Sequence, residues 1–313
     1  MIYYKIFPFK NFDIQKNAAE IFSTVFKRRS RKCKNIRAIP YCNSLLNPPA
    51  FYMERYLRMD LPQPVIGDWA VPPPNGGVGD GPAADRVDLK GEALRAARAG
   101  YYGLINHVDD QIRRLLNPVD GVDVWTRNNT VVLFTSDHGE MLGDHYLWRK
   151  AQPYEVSARI PLLIRAPERF GLKRGTRVDA AVALEDIMPT VLEMAGIPVP
   201  PSVEGRSLLP LMQGKSGAWR DHLHIEHAPL HHTLTDGREK FIWFAADGRE
   251  QFFRLSDDPQ ERRNLIAVPG EQPRIADWRA RLVAELMERP EGFSDGQKLI
   301  PGRPYPPVLV HNE

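Results

Sequence analysis

Apolar residues recur at three- and four-residue steps between Glu92 and Asn117, a pattern that predicts a long amphipathic helix. Pro118 ends the pattern, because proline cannot continue a helix beyond its first turn. One face of this helix is therefore expected to pack against a core. The apolar positions are Leu94, Ala97, Tyr101, Leu104, Ile105, Val108, Ile112 and Leu115.

Two short, continuous apolar runs predict strands. The first spans residues 130–135 and the second spans residues 160–164, and both are rich in branched aliphatic side chains. Such runs are typical of strands that are buried on both faces, as in a parallel sheet. Asp186 is predicted to cap a helix that runs to Ala195 and ends at Gly196. Helices that alternate with buried strands favour an α/β fold with a sheet between helices.

The pattern changes again after Pro210. Residues 240–244 and 251–255 are rich in aromatic side chains, and Asp247-Gly248 between them is typical of a β-hairpin. A helix over residues 273–288 follows this hairpin. These elements predict a small antiparallel α+β subdomain appended to the main sheet.

The composition divides the chain into three segments. Residues 1–46 carry ten Lys and Arg against two acidic residues, so the remainder is mildly acidic although the formal net charge is +3. A basic head can bind nucleic acid or anionic lipid. An unrelated tail is the simpler interpretation, and we predict no nucleic-acid partner. The predicted segments are a head over 1–46, the main domain over 47–212, and a C-terminal subdomain and tail over 213–313.

Apolar runs and cysteines bear on the location of the protein. No run approaches the roughly 20 residues of a membrane span, so no membrane partner is expected. The first residues are interrupted at Pro8, too early for the apolar core of a secretory signal. Cys33 and Cys42 provide neither a disulfide framework nor a metal-binding spacing. The chain as given is therefore predicted to be cytoplasmic.

Asp137 and His138 directly follow the first predicted strand. Ligands of open α/β sheets bind at the carboxyl ends of strands, where a carboxylate oxygen and an imidazole nitrogen can face one divalent ion. Lys150 follows in the same region. A lysine beside a metal can bind an anionic oxygen of a tetrahedral ester and stabilise charge on the leaving group. The alternative is a polar turn and a solvated lysine.

The segment around these residues resembles the sulfatase family of the alkaline phosphatase superfamily. The segments that carry the resemblance follow one another in the family's order along the chain. They are Thr135-Ser136-Asp137-His138-Gly139-Glu140-Met141-Leu142-Gly143-Asp144-His145, Lys150, Tyr154-Glu155, Arg159-Ile160-Pro161-Leu162, and residues 101–112, 186–196, 204–208 and 255–265. The resemblance covers about residues 48 to 270, which is similar to the C-terminal part of a family member.

The resemblance implies an α/β fold with an alkaline-phosphatase-like mixed or parallel sheet between helices. This fold would be incomplete at its N-terminal side and would carry the small C-terminal antiparallel α+β subdomain. Asp137 and His138 would be metal ligands, with Ca²⁺ the usual ion and Mn²⁺ or another divalent ion the alternative. Lys150 would be catalytic through binding of the sulfate. His227 and His145 would contact substrate, with a packing role as the alternative for each.

The nucleophile that the resemblance implies is missing. Family members carry a C-x-P-S-R or S-x-P-S-R segment whose first residue matures to formylglycine, and paired aspartates that complete the metal site. Cys33-Lys34-Asn35-Ile36-Arg37 has Cys and Arg at the motif's spacing, but Asn35 and Ile36 replace the Pro and the Ser. No acidic pair precedes this segment. We therefore assign no nucleophile and no formylglycine site.

By resemblance the chain is a sulfuric ester hydrolase of the arylsulfatase type, with a small-molecule or glycan sulfate ester as substrate. Because the nucleophile segment is missing, we expect a truncated chain that is inactive alone. The alternatives are a relative of phosphonate monoester and phosphodiester hydrolases, a non-catalytic remnant, or one half of a split enzyme whose N-terminal half is a separate chain. Intact relatives are expected to be periplasmic or secreted.

Overall fold

The computed structural model describes residues 2–3, 46–74, 86–117, 128–215, 217–227 and 230–304. The Cys33 to Arg37 segment and nearly all of the predicted head lie outside these residues. The helices are α1 (Ala50–Leu57), α2 (Gly91–Leu116), α3 (Glu155–Ala158), α4 (Ile187–Met194), α5 (Leu209–Met212) and α6 (Gln272–Leu286). The strands are β1 (Ile2–Tyr3), β2 (Val132–Thr135), β3 (Arg159–Ile160), β4 (Leu162–Arg165), β5 (Val182–Ala183), β6 (Leu223–His227), β7 (His231–Thr235), β8 (Glu239–Phe244) and β9 (Glu250–Arg254).

Helix α2 confirms the helix predicted from residue 92 to residue 117. The short helix α1 packs along it, and two tyrosine hydroxyls fix the pair. Tyr52 donates to Asp110 Oδ2 at 2.9 Å and Tyr56 donates to Asn106 Oδ1 at 2.8 Å. Asn106 and Asp110 lie on the side of α2 opposite the predicted apolar stripe, so these bonds do not involve residues of that stripe.

Strands β2 and β4 pair in antiparallel register, with Thr135 opposite Leu162. The prediction of a parallel strand buried on both faces is wrong for this pair. Phe134 is 38% exposed and Leu163 is 63% exposed. A continuous apolar run indicates that a segment tends to form a strand. The strand that it pairs with and the layers that cover it depend on residues far along the chain. The other short strands form a mixed sheet of order β3-β1-β5, antiparallel on one side of β1 and parallel on the other.

Helix α4 confirms the helix predicted after Asp186, and Gly196 ends it at a φ of +69°. The role of Asp186 differs from a simple cap. Its buried carboxylate accepts from the backbone N–H of Ala183 and of Arg206, each at 2.8 Å. Arg220 adds a bidentate ion pair at 2.5 and 2.6 Å. Asp186 therefore joins the end of β5 and two separate loops at the base of α4.

The predicted C-terminal hairpin is confirmed as β8 and β9, which belong to an antiparallel sheet of order β6-β7-β8-β9. Helix α6 packs on this sheet and confirms the last predicted helix. Trp243 and Trp278 are fully buried between them. The indole N–H of Trp278 donates to Glu239 Oε2 at 2.7 Å, so the buried ring keeps a polar partner. The largest apolar core described lies in this subdomain.

The hydrogen bonds that join the subdomain to the rest of the chain include the following three. The indole N–H of Trp69 donates to the Glu261 carbonyl at 2.7 Å, and the N–H of Asp68 donates to the Arg262 carbonyl at 2.8 Å. Lys240 on β8 donates to the Pro153 carbonyl at 2.8 Å. The loop that precedes α3 is therefore held against the C-terminal sheet. No helix in the described part of the chain is both long enough and apolar enough to cross a membrane.

Candidate active site

The chain turns sharply where β2 ends, and Asp137 and His138 lie in this turn. The N–H of Gly139 donates to the Ser157 carbonyl at 2.8 Å, and the next N–H donates to the Val156 carbonyl at 3.0 Å. A Cβ at position 139 would lie 2.0 Å from the Val156 carbonyl oxygen. Only glycine allows this approach, because any side chain at position 139 would collide with the backbone of α3.

The Asp137 carboxylate and the His138 ring lie side by side. Oδ2 of Asp137 is 3.4 Å from Nε2 of His138, and the aspartate side chain is 77% exposed. Nδ1 of His138 lies 2.8 Å from the Gly139 carbonyl oxygen. Because a carbonyl only accepts, Nδ1 carries the proton of this bond, and the neutral ring then has its lone pair on Nε2. An oxygen and a nitrogen donor are therefore close together on one side of the turn.

Helix α2 contributes Tyr101 to this region, a residue that was not predicted to belong to the site. Burial raises the pKa of Tyr101, and the carboxylates of Glu140 and Asp137 act in the same direction. Burial also raises the pKa of Glu140. A phenol and two carboxylates therefore lie near one another. Helical periodicity does not distinguish such a tyrosine from a core residue, so no sequence signal identified it.

Lys150 is exposed, on the loop before α3. Both of its neighbours have left-handed backbone, with a φ of +65° at Arg149 and +70° at Ala151. Left-handed backbone on both sides of one residue is unusual where neither neighbour is glycine. The Arg149 carbonyl accepts from the N–H of Met141 at 2.9 Å, which joins the lysine loop to the turn of Asp137.

His227 and His231 face each other across the β6–β7 pair, with ring centroids 6.1 Å apart. Burial lowers the pKa of His227, and Nδ1 of this ring has no hydrogen-bond partner in the described part of the chain. Burial lowers the pKa of His231 to about 3, while the Ala151 carbonyl opposes the shift. The residue after Lys150 therefore contacts the ring that pairs with His227. His231 was not identified from sequence, because one histidine in a buried strand resembles a packing residue.

His145 lies elsewhere, in a buried aromatic cluster. Its Nδ1 accepts from the N–H of Gly67 at 3.1 Å, and its ring lies 4.6 Å from the ring of Trp69. Tyr154 stacks on the other side of the cluster, 4.4 Å from Trp69. Burial lowers the pKa of His145 to about 4. This placement favours the packing role for His145 over substrate contact.

The described residues hold a group of three potential metal ligands that does not include Asp137 or His138. His224, Glu226 and His232 each offer one atom within 4.8 Å of the others. In the described residues, Asp137 and His138 do not form part of such a three-residue group. The structure thus brings the predicted pair together and places Lys150 on a loop tied to the same turn.

The fold is that of the alkaline-phosphatase-like superfamily. The family model described as Sulfatase matches residues 23–197, and the model described as N-sulphoglucosamine sulphohydrolase, C-terminal, matches residues 143–289. The chain belongs to the sulfatase family, which confirms the resemblance seen in the sequence. The first match begins at residue 23, within the predicted head.

Individual relatives agree with this assignment. The chain is 42% identical to an arylsulfatase of Clostridium perfringens over 84% of this chain and 55% of that protein. A phosphonate monoester hydrolase from Silicibacter pomeroyi matches with a TM-score of 0.56 and 30% identity, over 64% of this chain and 43% of that one. The structure of a protein in complex with its substrate D-glucosamine-2-N,6-O-disulfate matches with a TM-score of 0.54 and 27% identity, over 64% and 43%. The chain spans about half the length of the relatives it matches.

Proposed function

We propose that the chain forms the metal- and anion-binding side of a sulfuric ester hydrolase site, for small-molecule or glycan sulfate esters. The observation that carries this proposal is the Asp137 and His138 pair at the end of β2, in a chain of the sulfatase family. The lysine loop that is bonded to the same turn supports it.

The donor atoms of the pair fit part of a divalent-ion site. The exposed carboxylate of Asp137 is a hard oxygen ligand of the kind Ca²⁺ prefers, and an imidazole nitrogen also suits Mn²⁺. We propose Ca²⁺ as the ion, with Mn²⁺ as the alternative. A bound ion supplies Lewis acidity toward an oxygen of the ester. Ca²⁺ takes six to eight ligands, so these two residues supply only part of a full shell.

Lys150 is the residue that we propose to bind an oxygen of the sulfate group. Its side chain is exposed, and the backbone is left-handed on both sides of it. An ammonium that binds a sulfate oxygen stabilises the negative charge that develops as the ester bond breaks. His227 would contact the remainder of the substrate, and the ring of His231 would hold His227 in place.

The nucleophile is the part that this sequence does not supply. None of the 313 residues begins a C-x-P-S-R or S-x-P-S-R segment, and formylglycine has no site here. We therefore propose that this polypeptide does not turn over sulfate esters by itself, with or without Ca²⁺. A separate chain that carries the nucleophile and the paired aspartates is the partner that would complete the site.

A phosphonate monoester hydrolase activity is the second candidate. The 30% identical structure from Silicibacter pomeroyi favours it, because a phosphonate presents a tetrahedral anion of nearly the same shape. Lys150 and a divalent ion would bind either anion. Discrimination between the two would rest on the nucleophile and on residues outside this chain.

Paired turnover assays test the proposal. The chain is assayed with an aryl sulfate and an aryl phosphonate, with and without Ca²⁺, beside a Lys150→Ala variant. We expect no turnover above the variant. Co-expression with the N-terminal half of the Clostridium perfringens arylsulfatase should then restore aryl sulfate hydrolysis that depends on Lys150. Turnover by the chain alone would overturn the proposed inactivity, and restored hydrolysis that persists in Lys150→Ala would overturn the assigned role.

A further inference from the structure

Two histidines and a glutamate meet on the inner side of the C-terminal sheet. His224 and Glu226 are two residues apart on β6, so their side chains leave the same face of the sheet. His232 on β7 is the register partner of Glu226. Directly opposed residues on one face lie close enough for their side chains to meet. The backbone register therefore fixes the three side chains in one place.

The distances between the three donor atoms suit a small metal ion. Nε2 of His224 is 3.1 Å from Nδ1 of His232, and Oε2 of Glu226 is 3.9 Å and 3.6 Å from these two nitrogens. A point equidistant from the three atoms lies about 2.1 Å from each of them, the length of a zinc–nitrogen or zinc–oxygen bond. The spacing of the three atoms is therefore compatible with one small ion bound by all of them.

The cluster is buried, and two carboxylates share one guanidinium beside it. Glu226 is 0% exposed and His232 is 2% exposed, and Phe293 lies against the His232 ring at 5.1 Å. Arg289 donates to Glu226 Oε2 at 2.7 Å and to Glu291 Oε1 at 2.9 Å. One guanidinium thus serves two carboxylates, so these three side chains together carry a formal net charge of −1. A carboxylate that binds a metal is commonly held by such an outer hydrogen bond.

We propose that His224, Glu226 and His232 bind one Zn²⁺ ion. Two imidazoles and one carboxylate form a ligand set that zinc accepts, with the fourth position open to water. The ion would stabilise the C-terminal sheet, because its ligands come from two strands and Arg289 ties one ligand to the segment after α6. This site is formed by residues other than Asp137, His138 and Lys150.

Zinc titration of the full chain tests the proposal. An Asp137→Asn background removes binding at the β2 turn, and His232→Gln and Glu226→Gln are then compared with His222→Gln. His222 is a matched control, because it precedes β6, pairs with Glu285 at 3.0 Å and lies outside the three-residue group. We expect one Zn²⁺ per chain in the background and in the control. In the two ligand variants we expect affinity at least about tenfold weaker.

Two results would overturn the proposal. One is a chain that takes up no Zn²⁺ at micromolar concentration, and the other is equal uptake by the ligand variants and the background. Absorption of Co²⁺ bound to the unsubstituted chain is a second measurement, and it does not require any variant to fold. We expect visible absorption bands of four-coordinate Co²⁺ that Zn²⁺ displaces, and the spectrum of hydrated Co²⁺ alone would contradict the site.

Discussion

Nζ of Lys240 lies 2.8 Å from Oε1 of Glu155, although 85 residues separate them along the chain. The same ammonium lies 2.7 Å from Oε1 of Glu261, and Oε2 of Glu261 accepts from the N–H of Glu155 at 2.7 Å. Burial alone lowers the pKa of Lys240, but the two carboxylates outweigh it and the net pKa is raised. This buried triad holds the start of α3, and with it the lysine loop, against the C-terminal sheet.

Replacement of Lys240 by methionine should destabilise the protein strongly. The substitution removes the buried cation that Glu155 and Glu261 share, which typically costs about 3–5 kcal/mol. Urea unfolding followed by circular dichroism measures the change. Lys173→Met is the control, because Lys173 is exposed, and its free energy of unfolding should change by less than about 0.5 kcal/mol. An equal effect of the two substitutions would show that the triad does not stabilise the fold.

The triad should make stability depend on pH through Glu261. Burial raises the pKa of Glu261 from 4.5 to about 7, although the Lys240 charge opposes the shift. Between pH 4.5 and about pH 7, Glu261 is therefore protonated in the native chain and ionised in the unfolded chain. Stability from this group is therefore full below pH 4.5 and falls as the pH rises to about 7. The effect is on the order of 1–3 kcal/mol.

Glu261→Gln isolates this contribution. The difference in unfolding free energy between wild type and variant is measured at pH 5 and at pH 8. We expect wild type to lose stability relative to the variant as the pH rises. A difference that stays constant, or that grows in favour of wild type, would contradict the raised pKa of Glu261.

Gly139→Ala should disturb the turn that carries Asp137 and His138. The new methyl group would lie 2.0 Å from the Val156 carbonyl oxygen, so backbone must move, at a cost of about 1–3 kcal/mol. Thermal and urea unfolding measure the loss. Gly270→Ala is the matched control, because no atom lies within 4 Å of the added group and the backbone there is not left-handed. Equal stability of the two variants would mean that Gly139 is not needed for the close approach.

The elements with strong local signals were predictable from the sequence. Helix α2 follows from the apolar period of its own residues, and the β8–β9 hairpin follows from Asp247-Gly248 between aromatic runs. The pairing of β2 was not predictable, because its partner and its exposure depend on residues far along the chain. Long-range contacts of this kind leave no periodicity in the sequence.

The candidate site also combines residues that the sequence predicts with residues that only long-range contacts reveal. Asp137, His138 and Lys150 were predicted as site residues because a short motif holds them within one stretch of chain. The environment of His145 was not, because Gly67 and Trp69, about 80 positions earlier, supply its hydrogen bond and its stacking partner. His231 and Tyr101 were missed for the same reason, since each is recognisable only by what another element places beside it.

The most direct test of the site is calorimetric titration of the chain with phenyl sulfate in the presence of Ca²⁺. Loss of a charge-assisted hydrogen bond costs about 1.5–3 kcal/mol, so Lys150→Ala should bind about 10- to 100-fold more weakly than wild type. Lys173→Ala should bind like wild type, and omission of Ca²⁺ should weaken binding in every variant except Asp137→Asn. Equal affinity of Lys150→Ala and wild type would contradict the assignment of Lys150 and the Asp137 turn to one anion-binding site.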